Sequence, residues 1–214
     1  NVPSYINKSA NIQQAVNDIV ISKSFDNGMI CASESSIIID EEVFDQAVSL
    51  FKHFKVHFCT EQEKEKLEKL MFFVTSKDEN VASAHLNPDV VGHPATEIAK
   101  WAGIEVADDT TLLACYCDTI GPNEPMSREK LAPVLAFYKV KDEKEGFKLA
   151  SQSVEFAGLG HSAAIHCHDQ KMADEYGENC KAMRIIWNSP STFGGIGNVY
   201  NSFLPSLTLG CGSY

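Results

Sequence analysis

Cys31 lies in Ser24-Phe25-Asp26-Asn27-Gly28-Met29-Ile30-Cys31-Ala32-Ser33-Glu34, behind a polar turn at Asp26, Asn27 and Gly28. A thiol attacks carbonyl carbon as its thiolate, which local positive potential favours. Ala32 and Ser33 are small and allow a helix to begin at this point. The spacing therefore predicts Cys31 at a helix N-terminus, where unsatisfied N–H groups favour thiolate and stabilise an oxyanion on the adjacent reacting carbon. The chain has seven cysteines, and a cysteine without further context is most often an inert small hydrophobe. His161, in Gly158-Leu159-Gly160-His161-Ser162, titrates near neutrality and is an acid–base candidate; a histidine that merely bonds its own loop fits the same residues.

Other residues invite weaker readings. Glu124 opens Glu-Pro-Met-Ser-Arg-Glu-Lys, and on its own reads as a loop carboxylate in water. Gly194, Gly195 and Gly197 lack the helix-opening fingerprint of a dinucleotide loop. They read instead as backbone passing close to a substrate tunnel, with Thr192 and Phe193 in its lining. His166 and His168 flank Cys167, and Cys115 stands two residues from Cys117. Neither pair has a second pair at zinc-ligand spacing, so no metal is expected.

These residues need elements to hold them. Ile12, Ala15, Val16, Ile19 and Val20 recur at helical spacing within Asn11 to Ser24, with Ser9 as N-cap. Ser36 to Asp40 reads as a strand, Glu41 to Phe54 as a helix and Lys55 to Phe58 as a strand. Thr60 and Glu63 form a capping box ahead of a charged helix. Ala95 to Ala102 reads as a helix stopped by Gly103. Then follow strands at Leu112 to Cys117 and Val134 to Val140, a helix at Asp142 to Phe156, and a strand at Ser162 to Cys167. A helix at Gln170 to Cys180 and a strand at Arg184 to Asn188 complete the alternation. The tail from Ser189 reads as loops around a short strand at Leu207 to Leu209. This alternation predicts an α/β fold around a mostly parallel sheet flanked by helices.

The net charge of −11 disfavours phosphate backbones, so no nucleic-acid partner is expected. No apolar run reaches membrane-span length, so no membrane partner is expected either. An odd, irregularly spaced set of cysteines favours thiols in a reducing cytoplasm. The start at Asn1 reads as internal to a longer protein.

Residues 22–34, SKSFDNGMICASE, resemble the active-site segment of the bifunctional aldehyde-alcohol dehydrogenases, in the CoA-acylating branch of the aldehyde dehydrogenase superfamily. NVPSYI, NDIVISKSFDNG, EPMSREKLAPVLAFYKVKD, GLGHSAAIH and GGIGNVYNSFLPSLTLGCGSY resemble that family in the same order, with most divergence around residues 52–90. The resemblance implies an aldehyde dehydrogenase-like catalytic domain in which Cys31 forms a thiohemiacetal and then a thioester. NAD takes the hydride, and coenzyme A takes the acyl group of a short aldehyde to give acyl-CoA. It also implies His161 as a catalytic assistant, Glu124 on the nicotinamide ribose and Met126 beside the nicotinamide. Ser206 to Gly212 is similar to the family's closing motif.

Three parts are expected: residues 1–24 as a lead-in to an NAD-binding domain, 25–188 as the thioester-forming domain, and 189–214 as active-site loops and a return strand. The resemblance implies that most of the cofactor domain and an iron-dependent alcohol dehydrogenase half lie outside this chain, which alone is then incomplete for turnover. It implies a homo-oligomer for the full-length protein. A stand-alone semialdehyde dehydrogenase and a non-catalytic filament-assembly module are the competing readings.

Overall fold

Ser-Ile-Ile-Ile-Asp at Ser36–Asp40 is buried at all five positions, the signature of a strand covered on both faces. The computed structural model describes residues 1–74 and 84–208. Its elements in chain order are β1 (Pro3–Ile6), α1 (Ile12–Ser24), β2 (Ser36–Asp40), α2 (Glu41–His53), β3 (Val56–Phe58), α3 (Glu61–Met71), β4 (Phe72–Val74) and β5 (Ala84–Leu86). They continue with α4 (Ala95–Ala102), β6 (Leu112–Tyr116), β7 (Val134–Val140), α5 (Glu143–Ala157), β8 (Gly160–His166), α6 (Gln170–Asn179), β9 (Ala182–Trp187) and α7 (Ser191–Ile196).

Seven strands form one sheet in the order β3-β6-β7-β2-β1-β8-β9, and every pairing in it is parallel. The fold is α/β, as the alternation predicts. β1 lies within the expected lead-in segment, yet it is central in the sheet, pairing with β2 on one side and β8 on the other.

Alternation within the strands splits the core. Ile37 and Ile39 of β2 join Val16 and Ile19 of α1 and Phe44, Ala47 and Phe51 of α2 on one face. Ile38 joins Leu67 and Met71 of α3, Ile98 and Ala99 of α4, and Ala150 and Val154 of α5 on the other. Side chains one residue apart on a strand point to opposite faces, so one apolar run serves both layers.

The capping box at Thr60 and Glu63 is present: the Glu63 N–H donates to Thr60 Oγ1 at 3.3 Å, and the Thr60 N–H donates to Glu63 Oε2 at 2.8 Å. The cap of α1 is Asn11 rather than Ser9, because Asn11 Oδ1 accepts the Gln14 N–H at 3.2 Å. Ser9 instead offers its hydroxyl oxygen to the His168 N–H at 3.1 Å.

Besides β1, the elements β4, β5 and α7 lie outside the sequence expectations. β4 and β5 form an antiparallel pair separate from the main sheet. Ser191–Ile196 is helical where a loop is expected, although it contains two adjacent glycines. No strand forms at Leu207 and Thr208; Leu209 and the rest of the closing motif lie outside the described residues. Among the described residues, no helix is long and apolar enough to cross a membrane.

Candidate active site

Open parallel sheets most often bind ligands beyond the carboxyl ends of their strands. Here the expected catalytic residues lie at the opposite edge. Cys31 precedes β2, and His161 is the second residue of β8. At the carboxyl edge, Asp40 is instead consumed by the fold: its carboxylate accepts from the Tyr5 hydroxyl at 2.6 Å, the Asn7 amide at 2.9 Å and the Lys8 N–H at 2.8 Å.

The expected helix at Cys31 does not form. Asp26, Asn27 and Gly28 take positive φ values of 49°, 50° and 70° in succession, which turns the chain sharply after α1. Cys31 and Ala32 then sit at the centre of a tight turn closed by the Ser33 N–H on the Ile30 carbonyl at 2.9 Å. The chain passes from that turn into β2 after two further residues, leaving no room for a helix. Any activation of Cys31 therefore comes from the groups packed around its turn, not from a helix that begins at Cys31.

Of the six described cysteines, Cys31 alone is partly exposed; Cys59, Cys115, Cys117, Cys167 and Cys180 are buried. Burial pushes the Cys117 and Cys180 thiols up to about 12 and raises that of Cys167. Among the described residues, no cluster of three or more His, Cys, Asp or Glu is placed to hold a metal ion.

α7 seals the turn from one side. A Cβ on Gly195 would meet the Ala32 Cβ at 3.0 Å, so the glycine lets the helix backbone rest on the residue next to Cys31. Thr192 does not line a tunnel. It is fully buried, and its N–H donates to Ser22 Oγ of α1 at 2.9 Å. Phe193 packs against Phe25, with ring centroids 4.9 Å apart.

Three ionisable side chains with no accessible surface surround this region: Lys23, Glu34 and Lys130. Lys23 Nζ donates to Ser33 Oγ at 3.2 Å, and Ser33 Oγ donates to the Gly28 carbonyl at 3.2 Å, tying the two ends of the Cys31 turn together. Glu34 Oε1 accepts the Ser191 N–H at the start of α7 at 3.0 Å. Lys130 Nζ donates to the carbonyls of Met126 at 2.6 Å and Arg128 at 2.9 Å. Sequence reading missed all three. The signal for Lys23 is its position: it continues the stripe Ile12, Ala15, Val16, Ile19, Val20 at helical spacing, where a lysine is out of place.

His161 is buried. Its Nδ1 is 3.1 Å from the Ser162 hydroxyl, and its Nε2 has no hydrogen-bond partner among the described residues. Burial lowers its pKa, so the neutral imidazole, the form that acts as a base, prevails.

Glu124 and Met126 are placed differently. Glu124 Oε2 accepts from Lys64 Nζ of α3 at 2.7 Å, and its Oε1 accepts the Met126 N–H at 3.0 Å. With the side chain only 12% exposed, a ribose can reach this carboxylate only after Lys64 leaves. Glu68 stands beside the pair and is pushed up to about 7, by burial first and then by the charge of Glu124. Met126 is fully buried in the core and does not fit a nicotinamide contact in this arrangement.

No family model matches the chain. Over 214 residues it is 56% identical to the aldehyde-alcohol dehydrogenase of Streptococcus pneumoniae, a match covering 100% of this chain and 24% of that protein. The solved structure of an acetylating aldehyde dehydrogenase from Geobacillus thermoglucosidasius has a TM-score of 0.91 and 42% identity, covering 100% of this chain and 45% of that one. Along its whole length the chain is similar to part of an aldehyde-alcohol dehydrogenase and to part of an acetylating aldehyde dehydrogenase. It spans about a quarter of the length of the streptococcal relative and under half of the solved acetylating enzyme. The fold is also shared at low identity. A propionaldehyde dehydrogenase from Rhodopseudomonas palustris, solved with bound CoA and an acylated cysteine, has a TM-score of 0.84 at 21% identity, covering 98% of this chain and 45% of that one.

Proposed function

We propose that this chain is the thioester-forming part of a CoA-acylating acetaldehyde dehydrogenase, with Cys31 as its nucleophile. The observation that carries the reading is accessibility: Cys31 is the one described cysteine a substrate can approach, and it lies on a braced turn in the segment that matches the family. The Cys31 thiolate adds to the aldehyde carbon, forming a C–S bond and a thiohemiacetal oxyanion. Nicotinamide cofactor, NAD in this reading, supplies the hydride acceptor when bound. The thioester left on Cys31 is attacked by the thiol of coenzyme A, the new C–S bond forms to CoA, and Cys31 leaves as thiolate. His161, whose burial favours the neutral imidazole, would take the proton of the incoming CoA thiol once its buried Nε2 is uncovered. Run in reverse, the same steps load an acyl group from acyl-CoA onto Cys31.

That reverse loading is the test. Full-length protein incubated with acetyl-CoA, without nicotinamide, is expected to carry an acetyl group on the Cys31 peptide by mass spectrometry. An acetyl group on another cysteine, or on none, would overturn the reading.

The same reading gives Glu124 to the cofactor ribose and Met126 to the nicotinamide. Residue type supports Glu124, since a carboxylate accepts two hydroxyl protons. Lys64 opposes it, and the burial of Met126 opposes a nicotinamide contact; no step is routed through either residue. Glu124→Gln in the full-length enzyme is expected to raise KM for NAD about tenfold with kcat little changed, as losing a contact made equally in ground and transition states does. An unchanged KM would leave Glu124 as a brace between α3 and its loop.

The active site in this reading also needs a nicotinamide-binding domain from elsewhere in the same protein. The relatives' greater length supports that requirement.

A further inference from the structure

Two fully buried, oppositely charged side chains lie on either side of the Cys31 turn, and the reaction steps above use neither. Lys23 reaches the turn from the last turn of α1, through Ser33. Glu34 follows the turn in sequence and fastens it to the first residue of α7. Burying a lysine and a glutamate is costly, and a fold that needed only packing could fill both positions with apolar side chains. α1 already supplies such side chains one turn earlier, at Ile19 and Val20.

We propose that Lys23 and Glu34 are positioning residues for Cys31, acting with opposite sign: Lys23 holds the turn and favours the thiolate, and Glu34 anchors the turn to α7 and opposes excess thiolate. The proposal rests on Cys31 being the nucleophile. The geometry gives each residue a separate handle. Ser33 Oγ accepts from Lys23 and donates to the Gly28 carbonyl, so the ammonium is fixed to the turn that carries the sulfur. Glu34 Oε1 is bound to the Ser191 N–H, while Oε2 is buried without a hydrogen-bond partner among the described residues.

The charged groups facing Lys23 are Lys130, Glu34 and Glu129; Glu34 faces Lys23, with the Ser191 N–H as its hydrogen-bond donor. Burial, aided by Lys130, brings Lys23 down to about 7. Burial brings Glu34 up to about 7. Both groups therefore change charge in the neutral range, where Cys31 must attack as thiolate and leave again as thiolate.

The test is the pH profile of Cys31 alkylation by iodoacetamide in full-length protein, read on the Cys31 peptide by mass spectrometry without any turnover. Lys23→Met is expected to move the profile up by about one pH unit, an alkylation rate at neutral pH about tenfold lower. Glu34→Gln is expected to move it down. Ser33→Ala removes only the bridging hydroxyl, keeps both buried charges, and is expected to shift the profile in the direction of Lys23→Met by a smaller amount. Lys23→Arg is expected to restore most of the wild-type profile.

Opposite shifts cannot come from general loosening of the fold, which would move all variants the same way. Unshifted profiles, or shifts of one sign in Lys23→Met and Glu34→Gln, would overturn the proposal. Should Lys23→Met fail to fold, Ser33→Ala and Glu34→Gln still decide the sign. The two failures are distinguishable: an acetyl adduct on Cys31 in the wild type with unshifted variant profiles loses only the pair, whereas shifted profiles with no adduct on Cys31 overturn the functional reading and with it the positioning role, leaving only an effect on thiol reactivity.

Discussion

Cys31→Ala in the full-length protein is expected to lower kcat/KM for CoA-dependent aldehyde oxidation by at least about 10³-fold, roughly 4 kcal/mol of transition-state stabilisation. The loss is large because the covalent route disappears entirely; none of the other described thiols can replace the sulfur. The other described cysteines are buried, and Cys117 and Cys180 are held up at about 12, so neither supplies thiolate at neutral pH. Cys31→Ser keeps a hydroxyl of similar size but is expected to fall nearly as far, since an alkoxide is a poor leaving group in the transfer to CoA. NADH formation in the presence of aldehyde and CoA measures both variants. Any alcohol dehydrogenase activity of a separate domain should be untouched, which separates lost chemistry from lost protein. A Cys31→Ala enzyme within tenfold of wild type would remove Cys31 from the mechanism.

Gly28→Ala is expected to cost about 2–5 kcal/mol of stability and to disturb the Cys31 turn with it. Two penalties add at this position. A side chain at φ +70° is strained by about 1–2 kcal/mol. The new Cβ would also stand 2.7 Å from the Ala132 carbonyl oxygen and 2.8 Å from its carbon. Those are backbone atoms at the entry to β7, so they cannot swing aside as a side-chain tip would, and overpacking of this kind costs about 1–3 kcal/mol. Relief requires moving either the start of β7 or the turn itself, and the Gly28 carbonyl is the acceptor that holds Ser33. The midpoint of denaturant unfolding measures the first effect, and Cys31 alkylation measures the second. A midpoint within about 0.5 kcal/mol of wild type would show that the Gly28 conformation is not required.

Much of the fold is legible in the order of side chains. Ser36–Asp40 reads as a strand because three β-branched residues run together in it, and the fold then covers both its faces. The capping box at Thr60 and Glu63 and the stop at Gly103 are legible because both are contacts within one helix end. α7 is not legible, because two glycines depress helix propensity locally and only packing against Ala32 and Ile186 makes small residues an advantage. The helix expected at Cys31 fails for a related reason. Ala32 and Ser33 permit a helix, but the consecutive left-handed residues before them and the start of β2 after them leave space only for a turn.

For the site, the sequence by itself determined which residue types are available near one another along the chain: a cysteine after a polar turn, a histidine at a strand entrance, and a resemblance in order along most of the chain. Those are local or matched by order, and composition and spacing carry them. Only the tertiary structure decided what surrounds the thiol. The partners of the Cys31 turn come from α1 and α7, and Ser191, which holds Glu34, is 157 residues away in the chain. Glu124 meets Lys64 across 60 residues. Burial of Lys23, Glu34, Lys130 and Met126 follows from how helices and loops close over the amino edge of the sheet. Electrostatic energy and desolvation depend on distance and on excluded water, and neither is a property of sequence neighbours.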